Sequence, residues 1–139
     1  MQLFNNTTLP ALEQTTVFAQ KRHELLAGNL ANIDTPGYRS RDLDVGQFQS
    51  ALSDAIQYAD QTGGPATISP GHRSTAATRD DILRGPREAT EQVVYHDGSD
   101  VSLEHQVTEI AKNQHLHSTA ITTMRSQFAL LQAAITERA

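Results

Sequence analysis

Between residues 9 and 35, Leu9, Leu12, Thr16, Ala19, His23, Leu26, Leu30 and Ile33 follow one another at alternating steps of three and four. That is the a/d seam of a heptad held for three and a half repeats, and it predicts an amphipathic helix over 9–35. Thr8 is placed to cap its start, and Pro10 falls in the first turn, where a missing amide donor is tolerated. Pro36 and Gly37 end it, because proline cannot continue a helix and disfavours helical backbone at Thr35. A longer seam runs over 102–137 through Leu103, Val107, Ile110, Gln114, His117, Ile121, Met124, Phe128, Leu131 and Ile135. No glycine or proline interrupts it, and Asp100 or Ser102 is placed to cap its start.

The segment between the seams, 36–101, holds seven of the eight glycines and four of the five prolines, so it reads as an irregular middle. Within it, Asp44, Val45, Gly46 and Gln47 start a short helix with Phe48, Leu52, Ala55 and Ile56 on one face. Residues 61–72 read as loop. Val93, Val94 and Tyr95, followed by Asp97 and Gly98, read as a short strand and a turn. The expected fold is mostly α: long N- and C-terminal helices pairing as an antiparallel coiled-coil-like hairpin, with a short helix and short strands between them.

At about 1.5 Å per residue the first helix is roughly 37 Å long and the last roughly 54 Å, so the last overhangs its partner. Apolar positions on an overhang are not buried within one chain. They meet another molecule or remain exposed at about 25 cal/mol per Å².

Composition adds to this picture. The chain has 139 residues, read as one domain over 1–139, with only 5% aromatic side chains. So thin a core suggests that part of the apolar surface is covered by partners. A net charge of −5 without a basic patch gives little support for nucleic-acid binding. No stretch is long and apolar enough for a transmembrane helix, and the opening residues lack the positive charge and apolar run of a secretory signal. The lack of cysteine excludes disulfides and thiolate metal sites.

Residues 28–43 contain Asn29, Asn32, Thr35, Pro36, Gly37 and Tyr38 in the order Asn-x-x-Asn-x-x-Thr-Pro-Gly-Tyr. This pattern after the first helix resembles the signature of flagellar rod, hook and hook-associated proteins. The segments 101–114 and 128–132 extend the resemblance. With the chain's length and lack of a large middle domain, they make it most similar to the proximal members of the flagellar basal-body rod protein family. The resemblance implies a structural subunit of the hollow drive shaft that transmits torque. It implies export through the flagellar type III apparatus without a cleaved signal, and assembly in the periplasm. The implied partners are other rod subunits, copies of the chain itself, the adapter FliE and the flagellar export gate. A soluble helical-hairpin adapter or an export-chaperone-like module is the alternative.

The signature also has a direct physical reading. Asn29 and Asn32 are placed to bond backbone near the helix end. Gly37 admits a backbone shape that a Cβ resists, and Tyr38 is an anchor for the turn on a neighbouring helix. The packing seams are assigned to Leu12, Ala19, Leu26, Leu30, Ile33, Val107, Ile110, Ile121, Met124, Phe128, Leu131 and Ile135.

Candidate chemistry is sparse. His115 and His117, two apart on a helix, point to different faces and do not share an ion. His23 and His117 fall on seam positions, where a polar residue more commonly sets register than binds metal. Asp80, Asp81, Glu88 and Glu91, and likewise Arg39, Arg41 and Asp42, read as surface charges. No catalytic residues, metal ligands or cofactor are expected.

Overall fold

A computed structural model describes residues 8–68, 87–88 and 102–136. Among the described residues three helices carry the fold: α1 (Leu9–Ala31), α2 (Val45–Thr62) and α3 (Leu103–Thr136). Two short strands, β1 (Arg41–Asp42) and β2 (Arg87–Glu88), pair antiparallel with Arg41 opposite Glu88 and Asp42 opposite Arg87. The chain is mostly α, and its N- and C-terminal helices run antiparallel. Residues near the start of α1 meet residues near the end of α3, and Asn29 near the end of α1 meets Gln106 in the first turn of α3.

α1 begins as expected, with proline in its first turn, but Thr8 makes no side-chain capping bond. Its carbonyl accepts the Leu12 amide at 3.1 Å, and its hydroxyl accepts from the Gln127 side chain. The helix stops at Ala31, four residues short of the expected bound. Asn32 explains this: its Nδ2 donates to the Gly28 carbonyl at 2.8 Å, occupying the acceptor that its own amide would use in a continuing helix. Three-residue turns follow, with Asn32 N–H bonded to Asn29 O at 3.2 Å and Thr35 N–H to Asn32 O at 3.0 Å. Ile33 therefore lies in a turn and not on the helical seam.

α2 is longer than the short helix expected. Asp44 caps it by accepting the Gln47 amide at 2.8 Å, and Gly63 ends it in the left-handed region at φ +68°. Its buried face is Phe48, Ala51, Ala55 and Ala59, while Ile56 is exposed. The expected loop thus begins only after Thr62. The strand expected at 93–95 and the cap at Asp100 lie outside the described residues, as do Asp80, Asp81 and Glu91.

The core forms between α1 and α2. Phe18 is fully buried, and its ring stacks on Phe48 with centroids 4.1 Å apart and planes 7° from parallel. Leu43, Ala51, Ala55 and Ile68 close this cluster, and Ala11, Ala59 and Ala66 form a smaller one. Burying one phenylalanine contributes about 1.5–3 kcal/mol, so this pair is a large share of a thin core. The Gln14 side chain then ties down the chain after α2. Its Nε2 donates to the Ala66 carbonyl at 3.0 Å and its Oε1 accepts the Ile68 amide at 2.9 Å, as a strand neighbour would. α1 consequently has two working faces, one toward α2 and one toward α3.

Candidate assembly interface

The face of α3 that meets α1 is polar. Gln106, Asn113 and Ala120, each seven residues from the next, are buried there. Gln106 Oε1 accepts from Asn29 Nδ2 at 3.2 Å. Asn113 Nδ2 donates to the Ala19 carbonyl at 2.8 Å. Between them Arg22 donates from Nη2 to Glu109 Oε2 at 2.6 Å. The other edge of that guanidinium grips Asp42, with Nε to Oδ1 at 2.7 Å and Nη2 to Oδ2 at 2.6 Å.

The surface reading of Asp42 is thereby corrected. It is half-buried and paired in two-pronged geometry, because β1 lays it against the middle of α1. Lys112 donates to the free side of Glu109 at 2.7 Å. Burial raises the tendency of Glu109 to hold a proton, but the bonds and charges of Lys112 and Arg22 outweigh it and lower its pKa. Burial opposes the charge on Arg22 as well, and Asp42 and Glu109 overcome it and raise its pKa.

The apolar seam read from the sequence occupies a different strip of α3. None of its ten positions is buried in the single chain. Ile110, His117, Ile121, Met124 and Leu131 are half-buried. Val107 is 52% exposed and Phe128 51%, and Leu103, Gln114 and Ile135 are exposed too. Val107, Gln114, Ile121, Phe128 and Ile135 follow one another by seven, one residue along from the polar column and so about 100° round the helix. α3 thus carries two columns of the same period, a polar one against α1 and an apolar one turned aside. The heptad period was legible in the sequence, but the polar column Gln106, Asn113 and Ala120 was not.

On α1 the seam positions Leu9, Ala19 and Leu26 are buried. Leu12 and Thr16 are half-buried, and Leu30 is exposed. His23 is exposed and His117 half-buried, and Arg22, not His23, faces α3. The polar residues joining the two helices are therefore Arg22, Asn29, Gln106, Glu109 and Asn113. Of these, only Asn29 stood out in the sequence. The seven-residue steps from Arg22 to Asn29 and from Gln106 to Asn113 were the available signal.

The signature residues close the end of α1. Asn29, 1% exposed, uses both ends of its amide twice. Nδ2 donates to the Arg41 carbonyl at 2.7 Å as well as to Gln106, and Oδ1 accepts the Arg41 amide at 3.0 Å and the Tyr38 hydroxyl at 3.1 Å. Tyr38 anchors the turn on its own α1. Gly37 adopts φ +73°, and a Cβ built there would have nothing within 4 Å, so its requirement is one of backbone conformation and not of space. Thr35, Pro36 and Gly37 are exposed at the tip. Among the described residues, no three His, Asp or Glu side chains gather to hold a metal ion, and no helix is long and apolar enough to cross a membrane.

Known proteins resemble the chain along most of its length. It is 32% identical over 114 residues to the flagellar basal body rod protein FlgB of Salmonella typhimurium, covering 77% of each chain. The chain belongs to the FlgB family. The FlgB of Aeromonas hydrophila is 30% identical over 117 residues, covering 83% of this chain and 82% of that protein. The FlgB of Aquifex aeolicus is 29% identical over an alignment covering 100% of this chain and 99% of its own. No family model matches the chain. As a FlgB-family protein it is a structural subunit of the flagellar basal-body rod.

Proposed function

We propose that the chain acts as a proximal rod subunit that assembles through the apolar column of α3, with residues 1–139 forming one structural unit. The observation that carries this reading is the division of α3 into a bonded polar column and an exposed apolar one. A seven-residue period of mainly apolar side chains, exposed at Val107, Phe128 and Ile135, suits a second long helix, because such a repeat keeps one face turned to a neighbour along its whole length. Other rod subunits and further copies of the chain are the occupants this reading assigns. The exposed tip of the signature turn is a second contact, with the Tyr38 ring at its base. Within the same reading, FliE and the export gate lie at the rod's lower end. The chain reaches the periplasm through the type III apparatus without a cleaved signal. No catalytic step and no metal is assigned to it.

Phe128→Asp tests this reading. The side chain is half exposed in the single chain, so the purified variant should keep its helicity. A charge buried against a neighbour without a partner costs several kcal/mol, so the variant should be absent from isolated basal bodies and the cells non-motile. Normal incorporation of Phe128→Asp would sink the assignment of this column.

A further inference from the structure

The heptad repeat leaves the hairpin with a problem of register. Sliding α3 by seven residues, about 10.5 Å, returns every column to the face it already occupies, so the heptad spacing by itself does not distinguish the two positions. The polar contacts have to do so, and only the one at Asn29 is replaced in kind. In the slid position Asn113 would stand where Gln106 meets Asn29, one amide in place of another. Ala120 would stand beside the Ala19 carbonyl and Ala134 beside Thr8, so these two uncharged bonds would be lost. Glu109 has no substitute either. Seven residues on is Leu116 and seven back is Ser102, neither of which carries a charge. In either slid register Arg22, only 6% exposed, would keep Asp42 but lose its second carboxylate against an apolar or uncharged neighbour.

We propose that Glu109 is the register-determining residue of the α1/α3 hairpin, and that through Arg22 it sets how far α3 reaches beyond α1. In the observed register, residues 128–136 extend past the level of Thr8; one heptad on, only 135–136 would. That this reach matters for assembly rests on the rod reading, whereas the register itself does not.

The lack of cysteine makes the register measurable by disulfide formation in the full-length purified chain. Thr8→Cys is combined with Gln127→Cys to report the observed register, or with Ala134→Cys to report the slid one. With Glu109 intact, the 8/127 cross-link should exceed the 8/134 cross-link at least about tenfold, the preference that roughly 1.4 kcal/mol provides. Glu109→Gln should lower that ratio about tenfold. Glu109→Gln with Leu116→Glu, which moves the carboxylate one heptad along, should invert it in favour of 8/134. A ratio unmoved in both backgrounds overturns the proposal, and so does the lack of either cross-link with Glu109 intact. Should the double variant lose its helicity, the ratio in Glu109→Gln decides alone. Incorporation of Phe128→Asp into basal bodies is scored separately, so failure of the register proposal and failure of the rod reading give different results.

Discussion

Asn29 satisfies four hydrogen-bonding groups with one side chain: both backbone groups of Arg41, the Tyr38 hydroxyl and the Gln106 amide. Removing it leaves the buried Gln106 amide and the part-buried groups of Arg41 and Tyr38 without this partner, a buried group costing about 1–3 kcal/mol and the others less. Asn29→Ala should therefore destabilise the chain by between about 2 and 4 kcal/mol in urea unfolding. Tyr38→Phe deletes one of the four bonds and keeps the ring, so its cost should be near 1 kcal/mol. Equal losses in the two variants would show that Asn29 acts only through Tyr38. The sequence marked Asn29 as placed to bond backbone near a helix end. The backbone its side chain bonds is that of Arg41, twelve residues on, a position fixed only once the Gly37 turn has brought the chain back.

At the scale of the element, α3 shows what spacing conveys and what it withholds. Val107, Gln114, Ile121, Phe128 and Ile135 lie about 100° from the polar column that faces α1, whereas Ile110, His117, Met124 and Leu131, the other half of the apolar seam, lie about 40° from it and are half-buried. Spacing has no phase of its own; only the partner supplies it. On α1 a single seam was read, and Phe18 escaped because it belongs to the second face, toward α2. The charge cluster was hidden for another reason: Arg22 lies 20 residues from Asp42 and 87 from Glu109 in the chain.

That cluster also gives α3 a pH dependence. The pKa of Glu109 is lowered on folding, so its contribution is complete above the ordinary carboxylate value and is lost as pH falls through the depressed one. Unfolding free energy measured against pH should thus decline below about pH 4.3, the usual glutamate range. Glu109→Gln should remove part of that decline while leaving the chain less stable at neutral pH. Parallel curves for the two proteins would rule out Glu109 as a source of the acid sensitivity.

In the whole molecule, intrachain stability and association are assigned to different surfaces, and substitutions should separate them. Phe18→Ala opens a cavity under the Phe48 ring and should cost about 3–5 kcal/mol of unfolding free energy. Phe128→Asp should leave that quantity nearly unchanged and abolish incorporation instead. A small loss for Phe18→Ala would mean that α2 contributes little to holding the fold. Family membership was legible from Asn29 through Tyr38 and the matching C-terminal segments. The mostly helical hairpin was legible from the two heptad runs. The extent of α2 was not, because its inner face is built of Ala51, Ala55 and Ala59, which carry little hydrophobic signal and are read as a packing face only beside Phe18 and Ala11.

The four polar links between α1 and α3, at Thr8, Ala19, Arg22 and Asn29, are spread over about 32 Å of helix. Their arrangement makes the hairpin mechanically anisotropic. A force that drives one helix lengthwise past the other strains all four at once, and directional bonds lose strength within a fraction of an ångström. A force that lifts one end away strains them in succession, each weak alone. The hairpin is therefore stiff in shear and compliant in peeling: it resists the lengthwise sliding imposed on a twisted shaft, yet opens readily when drawn from one end.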